Sequence, residues 1–139
     1  MNESGQVVAP LVRYFKVDSE DIVLVHDDID LPFGKLRFHF GRGTGGHNGV
    51  ASVVRSLGSP TVWRLKFGVG RPPGRMDPAD FVLRRFYDRE RDDVDLMVAE
   101  AADLVRVFGA AGGDAARQAA GEATARLGIG KRSSDDSGE

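Results

Sequence analysis

Apolar and polar positions in this chain repeat with two different periods, and each change of period marks a new element. Val7, Val8, Leu11, Val12 and Phe15 recur at helical spacing behind Ser4, which is placed to cap the helix N-terminus. Pro10 falls inside that pattern and is expected to kink or shorten the helix. Residues 22–26 form a short β-branched apolar run without alternation, as in a parallel strand buried on both faces. Residues 35–40 alternate strictly between basic and apolar, the mark of an edge or antiparallel strand. A glycine loop at 41–46 leads into a helix that Gly58 should close, and residues 62–69 alternate again as a third strand. Arg71-Pro72-Pro73-Gly74 breaks that strand, and Asp77 or Asp80 can then cap a short helix carrying Phe81, Val82 and Phe86. Residues 92–108 are helical, with Val94, Met97, Val98, Ala101, Val105 and Phe108 on one face. Gly112-Gly113-Asp114 separates them from an Ala-rich helix at 115–127.

Strands alternating with helices define an α/β class. Only one strand has the pattern of a buried central strand, so the sheet is expected to be incomplete. Residues 1–128 read as one domain, and 129–139 as a polar, disordered tail. The chain has 139 residues, 41% hydrophobic and 29% charged, as in an ordinary globular domain. It contains no cysteine, which rules out disulfides and thiolate metal sites. Three scattered histidines lack the spacing of metal ligands, and no apolar run is long enough to span a membrane. The N-terminus does not read as a secretory signal, so the expected compartment is the cytoplasm.

The net charge of −2 conceals a segregation. Residues 35–76 contain eight basic side chains (Lys35, Arg37, Arg42, Arg55, Arg64, Lys66, Arg71 and Arg75) and no carboxylate. Residues 18–30 carry six carboxylates and 88–95 carry five. A one-signed stretch points to a polyanionic partner, with Arg64, Lys66 and Arg37 alternating outward from two strands, although charge alone does not separate nucleic acid from a phosphorylated small molecule.

Gly41-Arg42-Gly43-Thr44-Gly45-Gly46 matches G-x-G-x-x-G. A dinucleotide fingerprint would follow a fully buried strand, and the next strand would end in an acidic residue; here it ends in Val69-Gly70-Arg71. A flexible turn without a ligand remains the other reading. His47-Asn48 opens the next helix, where free N–H groups and the positive dipole end favour a neutral histidine and an amide that holds a carbonyl or a water. Asn48 as a simple helix cap is the alternative. His26-Asp27 stands at the carboxyl end of the first strand, where open α/β sheets place ligands. Neighbouring strand residues face opposite ways, so Asp27 needs a partner from elsewhere, and no histidine of the chain is an evident one.

Residues Val25-His26-Asp27-Asp28-Ile29-Asp30-Leu31-Pro32-Phe33-Gly34 resemble the central signature of the bacterial-type peptidyl-tRNA hydrolase family. Gly43-Thr44-Gly45-Gly46-His47-Asn48-Gly49 resembles its second signature, and residues 64–72, 80–83 and 1–5 resemble further family segments in the family's order. The likeness covers residues 1 to about 128. It implies a three-layer α/β/α domain with a mixed sheet and hydrolysis of the ester joining a peptide to tRNA, with no metal or cofactor. Carried over, Asp27 orients the catalytic histidine, Asn2 and Asn48 hold the peptide and the attacking water, and His47 lines the same cleft. Lys66 stands where the family clamps a tRNA phosphate. The second clamp residue, usually lysine, is His39 here, a weaker cation near neutral pH, for which Arg37 or Arg42 is a conjectured substitute. Thr44 stands where many members carry histidine. In the family the catalytic histidine and a neighbouring asparagine precede the Met1-Asn2 motif. The chain alone is therefore expected to be impaired and to self-associate, although the family is monomeric. Should it prove active, His47 and then His26 are the substitute bases. The alternative function is a non-catalytic remnant that binds tRNA or other RNA.

Overall fold

The computed structural model describes residues 3–41, 47–58, 61–71 and 88–129. Helix α1 spans Ser4–Phe15 and a short 3-10 turn spans Ser19–Asp21. Strands β1 (Val23–Asp28) and β2 (Leu36–Gly41) precede α2 (Asn48–Leu57) and β3 (Val62–Gly68). Two further helices follow, α3 at Asp88–Ala111 and α4 at Gly113–Leu127. The sheet order is β1-β3-β2, with β1 parallel and β2 antiparallel to β3. The result is a three-layer α/β/α arrangement around a mixed sheet. The expected short helix near residues 77–86 and the tail at 131–139 lie outside the described residues. Among the described residues no helix is long and apolar enough to cross a membrane.

The register sorts side chains by face. Val23, Val25, Trp63, Leu65, Phe67, Leu36, Phe38 and Phe40 share one face. Against it pack Met97 and Leu104 of α3 and Ala116, Ala120, Ala123 and Leu127 of α4, forming the main core. The alanine stripe recurs at helical spacing and lets α4 approach β2 closely. Thr124 fixes the approach: its hydroxyl donates to the Leu36 carbonyl and accepts from the Leu36 N–H, both at 3.0 Å. Ile129, one residue past the expected boundary, is also buried in this core. On the other side α1 meets α2, where the Gly5 N–H donates to the Ser52 hydroxyl at 2.9 Å.

Several expectations need correction. Glu3, not Ser4, precedes the first turn of α1, and it makes no side-chain cap. Pro10 lies within α1 without ending it; its ring is exposed, so the cost is confined to one missing N–H on the solvent side. Among the described strands the buried central one is β3, whereas β1 lies at the edge with Val25 56% exposed. The buried stripe of α3 runs through Met97 and Leu104; Val98 and Val105 face solvent. Gly58 does close α2 in the left-handed conformation, donating its N–H to the Val54 carbonyl.

Gly113 opens α4 against the indole of Trp63, and a Cβ there would lie 2.0 Å from the ring. Trp63 has no room to retreat, being stacked with Phe38 and Phe40 and covered by the Arg117 guanidinium 5.1 Å from its centroid. Gly113→Ala is expected to cost about 1–3 kcal/mol by overpacking. The check is a lowered urea midpoint with an unchanged slope.

Candidate active site and basic face

Strands β1 and β3 are adjacent and parallel, with β2 and α2 between them in the chain, and the start of α2 lies at the carboxyl end of β1, where open α/β sheets place ligands. His47 is the N-cap of α2, and its Nδ1 accepts from the Val50 N–H at 3.2 Å. An accepting nitrogen carries no proton, so the hydrogen of neutral His47 is on Nε2. That N–H donates to Asp27 Oδ1 at 3.2 Å. The partner that Asp27 lacked in the sequence is therefore His47, and His47, not Asn48, caps the helix. The order of elements does not give this pairing, because α2 follows β2, and β2 ends at Gly41 opposite Val62, at the far end of the sheet from Asp27.

His26 occupies the same corner, its ring centroid 4.8 Å from that of His47. Its Nδ1 donates to the Asp27 carbonyl at 2.9 Å, leaving Nε2 as a buried lone pair without a hydrogen-bond partner among the described residues. Asp27 thus sets both histidines, one through its carboxylate and one through its backbone. Both line a cavity of about 200 Å³ along β1, between Val8 of α1 and Val50 and Val53 of α2. Asn48 begins α2 directly beside this corner. Asn2, Arg42 and Thr44 lie outside the described residues, and the side chain of Asn48 is not among those described.

The second face of the sheet carries His26, Asp28, Arg64, Lys66, Arg37 and His39. Arg37 is exposed and directly opposite Lys66. Arg64 is not outward-facing as its alternation implied: it is 2% exposed, and its Nη2 donates to His39 Nε2 at 2.8 Å. In this contact His39 is the neutral acceptor, because arginine can only donate. The segregated charges of the sequence also pair in space. Lys66 lies 3.8 Å from Asp28, and Arg71 pairs with Asp30. Among the described residues no group of three or more His, Asp or Glu could hold a metal ion.

Burial, opposed by the hydrogen bond to the Asp27 carbonyl and aided by His47, Arg64 and Lys66, holds the pKa of His26 below the ordinary 6.5. Burial, with Lys66, Arg64, Arg117 and Arg37, does the same to His39. The unfolded chain therefore binds these two protons first as pH falls through 6.5, and the stability that rests on the neutral rings is lost as pH falls through the lowered values. Melting temperature is expected to drop with acid from just below that point. A melting temperature that is flat across this range would contradict the assignment.

Residues 1–126 match the sequence model of the family described as peptidyl-tRNA hydrolase. The chain belongs to the peptidyl-tRNA hydrolase family. It is 50% identical over 118 residues to the peptidyl-tRNA hydrolase of Kineococcus radiotolerans, covering 85% of this chain and 60% of that protein. It is 51% identical over 108 residues to that of Rhodococcus erythropolis, covering 78% and 57%. A crystal structure of the peptidyl-tRNA hydrolase from Acinetobacter baumannii superposes with a TM-score of 0.66 at 28% identity, over 84% of this chain and 61% of that one. The chain thus spans about three-fifths of the length of these family members.

Proposed function

We propose that this chain belongs to a hydrolase of the ester between peptide and tRNA, a cytoplasmic enzyme that frees tRNA for translation. The observation that carries the reading is the Asp27–His47 pair, its histidine lining a cavity beside a sheet face that bears Arg37 and Lys66. In this reading the cavity end takes the peptidyl ester and the basic face takes the tRNA backbone. Asp27 orients a histidine by fixing its tautomer, Asn48 and Asn2 position the ester and the water, and His47 lines the cleft. Lys66 and Arg37 meet phosphates, with no metal or cofactor in any step. Arg64 contributes from beneath that face, through His39.

A second reading is favoured by one observation: the described contacts leave no histidine open to solvent as a base. It is a non-catalytic RNA-binding chain that uses the same face. Both readings require RNA binding, and salt tests it. Each phosphate contact releases condensed counterions, so tRNA affinity should fall steeply with salt. Arg37→Ala and Lys66→Ala should each lower affinity and flatten the log–log salt slope by about one unit. Asp27→Asn should leave the slope alone. An anisotropy titration at several salt concentrations reads both quantities. If neither basic substitution changes affinity or slope, the phosphate assignment fails.

A further inference from the structure

His39 and Arg64 are directly opposite each other in the antiparallel β2–β3 ladder, with Arg37 and Lys66 opposite each other two residues along. Their side chains share one face, and the 2.8 Å contact runs from Arg64 Nη2 to His39 Nε2. Arginine offers only donors, so the contact exists only while His39 Nε2 is unprotonated. Among the described residues the charged groups that act on His39 are all cationic: Lys66 and Arg64 from β3, Arg37 from β2 itself and, at longer range, Arg117 of α4. Arg117 is held over Trp63, and Lys66 is held by Asp28, which also faces Arg64.

We propose that His39 is a positioning residue for the basic face: neutral, it holds the Arg64 guanidinium down in the sheet, and protonated, it releases Arg64 and adds a cation of its own. Protonation would set two N–H donors against each other at hydrogen-bond distance, with both groups charged. Arg64 does not relieve this by losing its proton, because guanidinium stays charged throughout the working pH range. The arginine side chain therefore turns toward solvent, and the face gains up to two exposed cations. Its affinity for an RNA backbone rises as pH falls through the pKa of His39. This inference rests on the RNA reading above and adds that one residue makes RNA affinity conditional on pH.

The test uses the full 139-residue chain and a fluorescent RNA hairpin with a 5′-phosphate, titrated at constant ionic strength at about pH 7.5 and at an acid pH below the His39 midpoint read by NMR on the folded chain. Wild type should bind about three- to tenfold tighter in acid, with a salt slope steeper by about one unit. His39→Gln keeps an acceptor for Arg64 but does not titrate, so it should lose most of the acid gain, with only what His26 and His47 contribute remaining. His39→Lys is a permanent cation and should lose the gain to the same extent, at the tighter affinity. His26 and His47 remain in every variant, so the difference isolates His39. An equal acid gain in wild type and His39→Gln overturns the inference and leaves the RNA reading standing. Absence of RNA binding at either pH overturns the RNA reading. In that case the Arg64 side-chain NMR signal decides the contact: movement at the midpoint of the His39 imidazole supports it, and indifference to that midpoint overturns it.

Discussion

The 139-residue chain on its own is expected to cleave peptidyl-tRNA at least about 10²–10⁴-fold more slowly than a full-length family member, the usual contribution of a positioned general base. A base for ester hydrolysis needs an imidazole lone pair that a water can reach. His47 uses Nδ1 to cap α2 and commits its Nε2–H to Asp27. His39 gives its lone pair to Arg64. His26 keeps a lone pair on Nε2, but that atom is buried and the residue is 8% exposed. The order of substitute bases read from the sequence is thereby reversed: His26 has the uncommitted nitrogen and His47 has none. A single-turnover assay against a full-length relative checks this. Turnover near that of the relative would sink the claim and direct attention to His26→Ala as the next variant.

The chemistry of the sequence was legible where it depended on local pattern. The strands and the glycine closure of α2 follow from periodicity and turn chemistry, which act within a few residues. What did not follow were pairings that close over long separations. Alternation in β3 reads as one buried and one solvated face, yet Arg64 is buried because β2 delivers His39 directly opposite it. The run of basic residues reads as an open positive surface, yet Asp28 and Asp30 return to Lys66 and Arg71. The apolar run in β1 reads as central because its composition is that of a doubly covered strand. In this chain the covered position goes to β3, which has a neighbour on each side. On α3 the spacing allowed two adjacent stripes, and the contact with α4 selected Met97 and Leu104 over Val98 and Val105.

Self-association of this chain is the second large effect expected, and the edge of β1 is its source. Among the described residues β1 pairs only with β3, so its other side offers unpaired N–H and C=O groups along an apolar strand. Val25 is exposed there, and Val7, Leu11 and Phe15 of α1 are exposed on the neighbouring helix. Such an edge is a template for a second strand, and two copies of β1 can meet antiparallel about a twofold axis. Sedimentation velocity should show an average mass that rises with concentration, and a hydrophobic dye should bind to the dilute chain. Val25→Lys places a charge on the edge without touching Trp63, Phe38 or the α3–α4 core, and should return the chain to a monomer. If wild type is a clean monomer at every concentration and melts in one sharp transition, the edge is not a docking template. If Val25→Lys associates as strongly as wild type, the apolar face of α1, and not the strand, is what brings the copies together.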